Sequence, residues 1–167
     1  RLSIEGAEYI PKKGGVLIAP NHSGFAGIDA LLLNYVIVNE AKRYPRVLTH
    51  KFWFLTELTS VAFQKMGFFE ASYENGKNFL TKKNTVVLFP EGEKGNFKPS
   101  QKMYQLQEFK RGFVRMAIET NSPIIPALII GAEESNLTLS QFKAKKLFAG
   151  LTLPLPLNIV PLPAKWK

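Results

Sequence analysis

The sequence predicts an α/β domain with a mainly parallel or mixed central sheet flanked by helices. Three observations carry that expectation. Short, apolar, β-rich runs alternate with longer stretches of helical periodicity. Glycine and proline signals punctuate the alternation at nearly every boundary. No internal repeat or low-complexity linker interrupts it, so residues 1–167 read as a single domain, within the size range of one hydrophobic core.

The elements follow in order. Val16-Leu17-Ile18-Ala19 comes after the turn signal Lys12-Lys13-Gly14-Gly15 and stops at Pro20, the pattern of a buried strand. From Asp29, Leu32, Leu33, Val36 and Ile37 recur at helical spacing, predicting a helix to about Lys42. Val47–His50 is a short strand. Thr56 is placed to cap a helix running to about Lys65, and Met66-Gly67 ends it before a strand over Phe68–Ser72. A short helix is expected from Asn75 to about Thr81, then the clearest strand, Thr85-Val86-Val87-Leu88-Phe89, stopped by Pro90-Glu91-Gly92. After a long polar loop, Phe109, Phe113, Met116 and Ala117 predict a helix between Gln107 and Thr120, and Ile124–Ile130 reads as a strand. Pro126 withdraws an amide from any ladder and so marks an edge, a bulge or a pocket wall. Four prolines in the thirteen residues from Leu151 to Pro163 favour an extended surface segment.

Composition narrows the chemistry. Twenty-two Lys and Arg against 13 Asp and Glu leave a formal charge of +9, which suits phosphates, acidic lipid headgroups or nucleic acid. Nine basic residues and three acidic ones between positions 77 and 115 supply +6 of it. With no cysteine, disulfides, thiolate nucleophiles and zinc knuckles are excluded, and with only His22 and His50 a multi-histidine metal centre is disfavoured. No apolar run approaches the roughly 20 residues of a membrane helix. The chain opens at Arg1 without an initiator Met or signal pattern and is read as a fragment lacking residues at one or both ends.

Two clusters follow strand ends, where open α/β sheets place ligands. The first is Asn21-His22-Ser23-Gly24-Phe25-Ala26-Gly27-Ile28-Asp29. On one continuous helix His22 and Asp29 would lie about 10 Å apart along the axis. A loop turning at Gly24 and Gly27 would instead bring carboxylate and imidazole together, the arrangement that takes a proton from a hydroxyl. Spacing alone is equally compatible with a strand-end His and a helix-capping Asp. Ser23 lacks a nucleophile elbow. The second cluster is Phe89-Pro90-Glu91-Gly92-Glu93-Lys94-Gly95, which reads either as a ligand loop or as a solvated turn. The aromatics of Lys51-Phe52-Trp53-Phe54-Leu55, with Phe63, Phe68 and Phe69, fit a core better than a lipid contact.

In this order the motifs resemble the lysophospholipid acyltransferase superfamily of glycerolipid acyltransferases. Asn21-His22 through Asp29 is similar to its His-Asp motif, Gly67-Phe68-Phe69 with Ser72 to its second block, and Phe89-Pro90-Glu91-Gly92 to its Phe-Pro-Glu-Gly block. Pro123-Ile124-Ile125-Pro126 is similar to the proline-bearing fourth, and Phe109-Lys110-Arg111-Gly112-Phe113 to the helix that follows in many members. Three features depart from the pattern: six residues rather than four separate His22 from Asp29, Ser72 stands about where an acceptor-binding Arg is common, and Glu93-Lys94 replaces Thr-Arg. The longer spacing resembles monoacylglycerol-acyltransferase-like and uncharacterised bacterial branches.

The resemblance implies a glycerolipid-acyltransferase-type fold and acyl transfer from coenzyme A or acyl carrier protein to a lysolipid or related glycerolipid hydroxyl, without metal or bound cofactor. His22 is the implied general base and Asp29 its orienting partner, with no acyl-enzyme. Phe89, Pro90, Glu91 and Gly92 would shape the acceptor site, and Lys94, Lys110 and Arg111 would meet phosphates. Partners are then an acceptor lipid, an acyl thioester and an anionic membrane surface, with peripheral attachment at the cytoplasmic face. The rival readings are a non-catalytic lipid-surface module on the same fold and, disfavoured by the absence of a recognised module, nucleic-acid binding.

Overall fold

The computed structural model describes residues 2–22, 27–143 and 152–157. They form two compact units, each assembled from separate stretches of chain.

The first unit takes in residues 1–20, 30–88 and 111–127. Its centre is a five-stranded sheet of β1 (Val16–Pro20), β2 (Arg46–Thr49), β3 (Phe68–Glu70), β4 (Thr85–Leu88) and β5 (Ile124–Ala127), in the order β3-β2-β4-β1-β5. Every pairing is parallel, with Val16 beside Thr85 and Leu17 beside Ile124. The helices are α1 (Ile28–Glu40), α2 (Glu57–Lys65), α3 (Tyr73–Thr81) and α5 (Gly112–Glu119), α4 being a short helix of the other unit. The expected α/β architecture is present, with a wholly parallel central sheet flanked by helices.

The physical basis is burial. Every residue of β1 is buried, as are Thr85, Val86 and Val87 of β4, so the two central strands are continuous apolar runs rather than alternating ones. Leu17, Ala19, Leu48, Leu80, Val86 and Met116 form one core cluster. Gly76 permits the close approach of α3 and α5, because a Cβ there would collide with Met116 Sδ. Pro126 lies on β5, an edge strand, where its missing amide is tolerated. Helix starts are set locally: Thr56 Oγ1 accepts from Thr59 N at 3.2 Å and Ser72 Oγ from Asn75 N at 3.1 Å. Among the aromatics, Trp53 stacks on Phe63 with centroids 4.9 Å apart, and Phe69 packs on Phe79 at 4.7 Å. His50 is spent on a turn, its Nδ1 accepting from Phe52 N.

The second unit takes in residues 21–29, 89–110 and 128–167. It contains α4 (Glu93–Asn96), a helical turn at Ser100–Lys102, and an antiparallel ribbon of β6 (Thr138–Lys143) and β7 (Thr152–Pro156).

Several boundaries differ from the sequence reading. Strand β3 ends at Glu70 because Ser72 caps α3, which starts at Tyr73 rather than Asn75. Helix α5 begins at Gly112 rather than Gln107: Gln107 N and Lys110 N donate to Glu91 Oε1 and Pro90 O, so the segment carrying Phe109 serves another purpose. Strand β5 stops at Ala127. The expected polar loop after Gly92 contains two short helical turns. Part of the proline-rich tail pairs as β7, since a two-stranded ribbon leaves one edge of each strand free and accepts proline there. Residue 151 and those from 158 onward in that tail, with Ser23 and Gly24, lie outside the described residues. Among the described residues no helix is long and apolar enough to cross a membrane.

Candidate active site

The chain leaves β1 at Pro20 and β4 at Leu88, and the residues that follow each strand meet within the second unit. Asn21 comes first. Its side chain is buried and pairs with one residue in both directions, Oδ1 accepting from Ile129 N at 2.6 Å and Nδ2 donating to Ile129 O at 3.0 Å. This double bond imitates a strand pairing and fixes the backbone immediately before His22.

His22 is held on three sides. Its Nδ1 lies 2.6 Å from Asp29 Oδ2, and the side chains are 14% and 0% exposed. Its ring packs against Phe89, with centroids 4.2 Å apart and a tilt of 32°. Its backbone N donates to Glu91 Oε2 at 2.8 Å. With Nδ1 committed to the carboxylate, Nε2 is the ring nitrogen left for chemistry. Helix α1 begins only at Ile28, after Gly27 at φ 72°, so His22 and Asp29 do not share a continuous helix. A left-handed φ of that size favours glycine and allows the chain to turn just before the helix. Asp29 is also in the first turn of α1, where the helix dipole favours a carboxylate. Asp29 is thus both the partner of His22 Nδ1 and a first-turn residue of α1.

As an acceptor-positioning group Glu91 would present its carboxylate to a ligand, yet its side chain is completely buried and both oxygens are committed to backbone amides, Oε2 to His22 N and Oε1 to Gln107 N at 2.5 Å. A buried carboxylate is stable when it receives such charge-assisted bonds. Glu91 thus ties the His22 backbone to residue 107. Gly95 makes room for it, since a Cβ there would overlap the Glu91 side chain.

A histidine pinned through Nδ1 by a buried carboxylate, behind a Phe-Pro-Glu-Gly loop, can act as a general base. Among known proteins, the family model described as Acyltransferase matches residues 1–130. The chain belongs to the glycerolipid and lysophospholipid acyltransferase family. Uncharacterized proteins of Mycobacterium bovis and Mycobacterium tuberculosis are each 35% identical to it over 179 residues, and one of Mycobacterium leprae is 34% identical. Each alignment covers 100% of this chain, but the chain spans only about half the length of these curated relatives. No solved structure matches.

The other sequence-predicted site residues are less tightly gathered. Pro90 is buried and its O accepts from Lys110 N at 3.0 Å. Gly92, at φ 57° and ψ −143°, takes a backbone conformation open only to glycine, and the Lys110 ammonium lies close over it. Lys94 is exposed and pairs with Glu108 at 3.3 Å across solvent. Arg111 is exposed and belongs to the first unit, at the start of α5. His22, Asp29, Phe89 and Glu91 therefore form one constellation, with Pro90, Gly92 and Lys110 along the loop behind it.

Sequence reasoning overlooked the roles of Asn21, Gln107, Lys98 and Glu133. Asn21 stands beside His22 in the motif, and that adjacency was a usable signal. The other three have none: the Lys98–Glu133 pair, 2.5 Å long and 5% and 9% exposed, joins residues distant in sequence with no pattern around either. A small open cleft in this unit is lined by Lys98, Glu133, Asn96 and Asn136, and neither His22 nor Asp29 is among its lining residues.

Proposed function

We propose that this acyltransferase moves a fatty acyl group from an acyl thioester, acyl-coenzyme A or acyl carrier protein, to a free hydroxyl of a lysophospholipid or related glycerolipid. The observation that carries the reading is the 2.6 Å contact between His22 Nδ1 and the fully buried Asp29 carboxylate. In the proposed step Nε2 takes the proton of the acceptor hydroxyl while its oxygen attacks the thioester carbonyl. Asp29 holds the tautomer and offsets the positive charge forming on the ring. The tetrahedral intermediate collapses with cleavage of the C–S bond, and the imidazolium returns the proton to the departing thiolate. The products are an ester and a free thiol, and His22 is regenerated without an acyl-enzyme.

Binding rests on the same loop. Phe89 steadies the imidazole ring, and Pro90 and Gly92 shape the wall beside it. Lys110, exposed over Gly92, and Lys94 are the proposed contacts for acceptor or coenzyme A phosphate, with Arg111 a further candidate. Lys in place of a forked Arg gives point-charge rather than bidentate recognition. The reading includes peripheral attachment to an anionic membrane surface at its cytoplasmic face, supported by the +9 charge, and no resident metal or cofactor.

The test is thiol release from long-chain acyl-coenzyme A, and in parallel acyl transfer from acyl carrier protein. Acceptors are lysophosphatidate, other lysophospholipids and monoacylglycerol in vesicles. Acceptor-dependent release is expected, falling about 10²–10⁴-fold in a folded His22→Ala variant. Equal backgrounds for wild type and variant with every donor and acceptor would replace this reading with a lipid-binding module. A preference for lysophosphatidate over monoacylglycerol is the expected signature of Lys94 and Lys110.

A further inference from the structure

The acyl-transfer step leaves one buried ion pair unused. Lys98 and Glu133 are 5% and 9% exposed and 2.5 Å apart. Desolvating two charges is costly, and replacing such a pair with apolar side chains of similar volume is often neutral or stabilising, so stability alone is a weak reason for its presence.

What the pair touches gives it a direction. Lys98 Nζ also donates to Gln105 O at 2.9 Å, and Glu133 Oε2 accepts from Tyr104 N at 2.5 Å. Tyr104 has φ 59°, in the left-handed region, a conformation that costs a non-glycine residue free energy and persists only when its surroundings hold it. Its hydroxyl is also bonded, to Glu134 Oε1. Three residues along from Tyr104, Gln107 N donates to Glu91 Oε1 at 2.5 Å, and Glu91 Oε2 receives His22 N at 2.8 Å. Segment 104–107 is thus fastened at one end by the ion pair and at the other by the carboxylate that holds the His22 backbone.

We infer that Lys98 and Glu133 are positioning residues for His22, acting through segment 104–107 and Glu91. The inference rests on His22 being the general base for its effect on rate, but its effect on geometry is measurable without turnover. Releasing the pair frees Tyr104 N, leaves Gln105 O with only its bond from Gln107 Nε2, relaxes the strained Tyr104 and loosens the Gln107–Glu91–His22 links. Misplacing a base by a fraction of an ångström then lowers kcat more than it changes KM.

The experiment compares wild type with Lys98→Met combined with Glu133→Leu, and with Lys98→Met combined with Glu133→Gln, which keeps an acceptor for Tyr104 N. Each is followed by amide hydrogen exchange and by acyl-transfer kinetics. In the Leu-bearing variant, exchange at Gln107 and His22 is expected to be at least about tenfold faster, with Val86 and Val87 unchanged. Its kcat is expected to fall by about tenfold to a hundredfold at nearly constant KM. The Gln-bearing variant is expected to recover part of both effects, and should the Leu-bearing protein fail to fold, it carries the same test against wild type. Faster exchange confined to Tyr104 and Gln105, with His22 as protected as before, overturns the inference whatever happens to kcat. So does accelerated His22 exchange with unchanged kcat, provided His22→Ala abolishes turnover in the same assay. Turnover surviving in His22→Ala refutes the general-base reading and leaves the exchange result standing.

Discussion

The two units are held together by different means. In the first, the central strands β1 and β4 are almost wholly apolar and buried, Thr85 being the polar exception, and Leu17, Leu48, Leu80, Val86 and Met116 meet in one cluster. Its polar interactions are peripheral, such as Arg43 donating to the carbonyls of Pro11, Gly14 and Lys83 at 2.7–2.8 Å. In the second, the described buried groups include Asn21, Asp29, Glu91, Lys98, Glu133, Asn136 and Thr138. Area burial is non-directional and tolerates small displacements, whereas a buried polar network is satisfied in few arrangements. The first unit is therefore suited to being a scaffold, and the second to holding an imidazole in one orientation.

If that division is right, substitutions in the second unit change rate more than stability, and those in the first do the reverse. The largest expected effect is Asp29→Asn. The isosteric amide keeps the volume but not the charge, and it allows the imidazole to settle in the wrong tautomer, so kcat should fall by about 10²–10⁴-fold. The thermal midpoint should move little by comparison. A kcat within a few-fold of wild type would show that Asp29 is only the helix-start residue that its position also makes it.

Glu91→Ala comes next. It strands the amides of His22 and Gln107, and an unsatisfied buried group costs about 1–3 kcal/mol. Stability and kcat should both drop, and Glu91→Gln, which keeps one acceptor oxygen, should recover part of each. Were KM for the acceptor to rise while kcat held, Glu91 would be an acceptor contact rather than a tie on the His22 backbone. Leu80→Ala is the mirror experiment in the first unit: Leu80 is fully buried in the cluster, so its truncation should cost about 2–5 kcal/mol by denaturant unfolding. The folded fraction should retain nearly normal kcat and KM. A comparable loss of kcat at full occupancy of the folded state would mean that the sheet does more than support.

The same contrast explains what could be read from the sequence. Strands β1 and β4 were legible because unbroken runs such as Thr85-Val86-Val87-Leu88 have one economical fate, and α2 because Thr56 announces its start. The His22–Asp29 pair was legible as a possibility, since Gly27 permits the turn that closes it, but spacing could not choose between that pair and two unrelated caps. Glu91 was legible as a motif residue but its bonds were not, because they run to His22 N and Gln107 N, each far away in sequence. The start of α5 was misplaced for a related reason: Phe109 falls in phase with Phe113, yet the amides before Gly112 bond to Glu91 and Pro90 instead of continuing the helix. Periodicity reports burial, and it does not report where a backbone amide finds its acceptor.

The smallest expected effect concerns charge at the surface of the first unit. Hydrogen bonds from Lys77 Nζ and Arg115 Nε, each 2.8 Å long, hold the Glu119 carboxyl well below its ordinary range, at about 2. An acid whose folded pKa lies below its unfolded value, about 4.3 for Glu, contributes stability that is complete above the unfolded value. That contribution is lost as pH falls through the folded pKa, so the window runs from a little above pH 4 down to about 2. Glu119→Gln should therefore flatten the acid limb of the stability profile inside that window and also remove a modest, salt-screened increment at neutral pH. Chemical denaturation at closely spaced pH values, in low and high salt, measures both. The pair lies in the unit whose stability rests on apolar burial, so kcat of the folded protein at neutral pH should be indifferent to the substitution. An unchanged acid limb would mean that the Lys77–Glu119–Arg115 cluster dissolves in solution, as exposed ion pairs commonly do, and that apolar burial alone sets the acid stability of this unit.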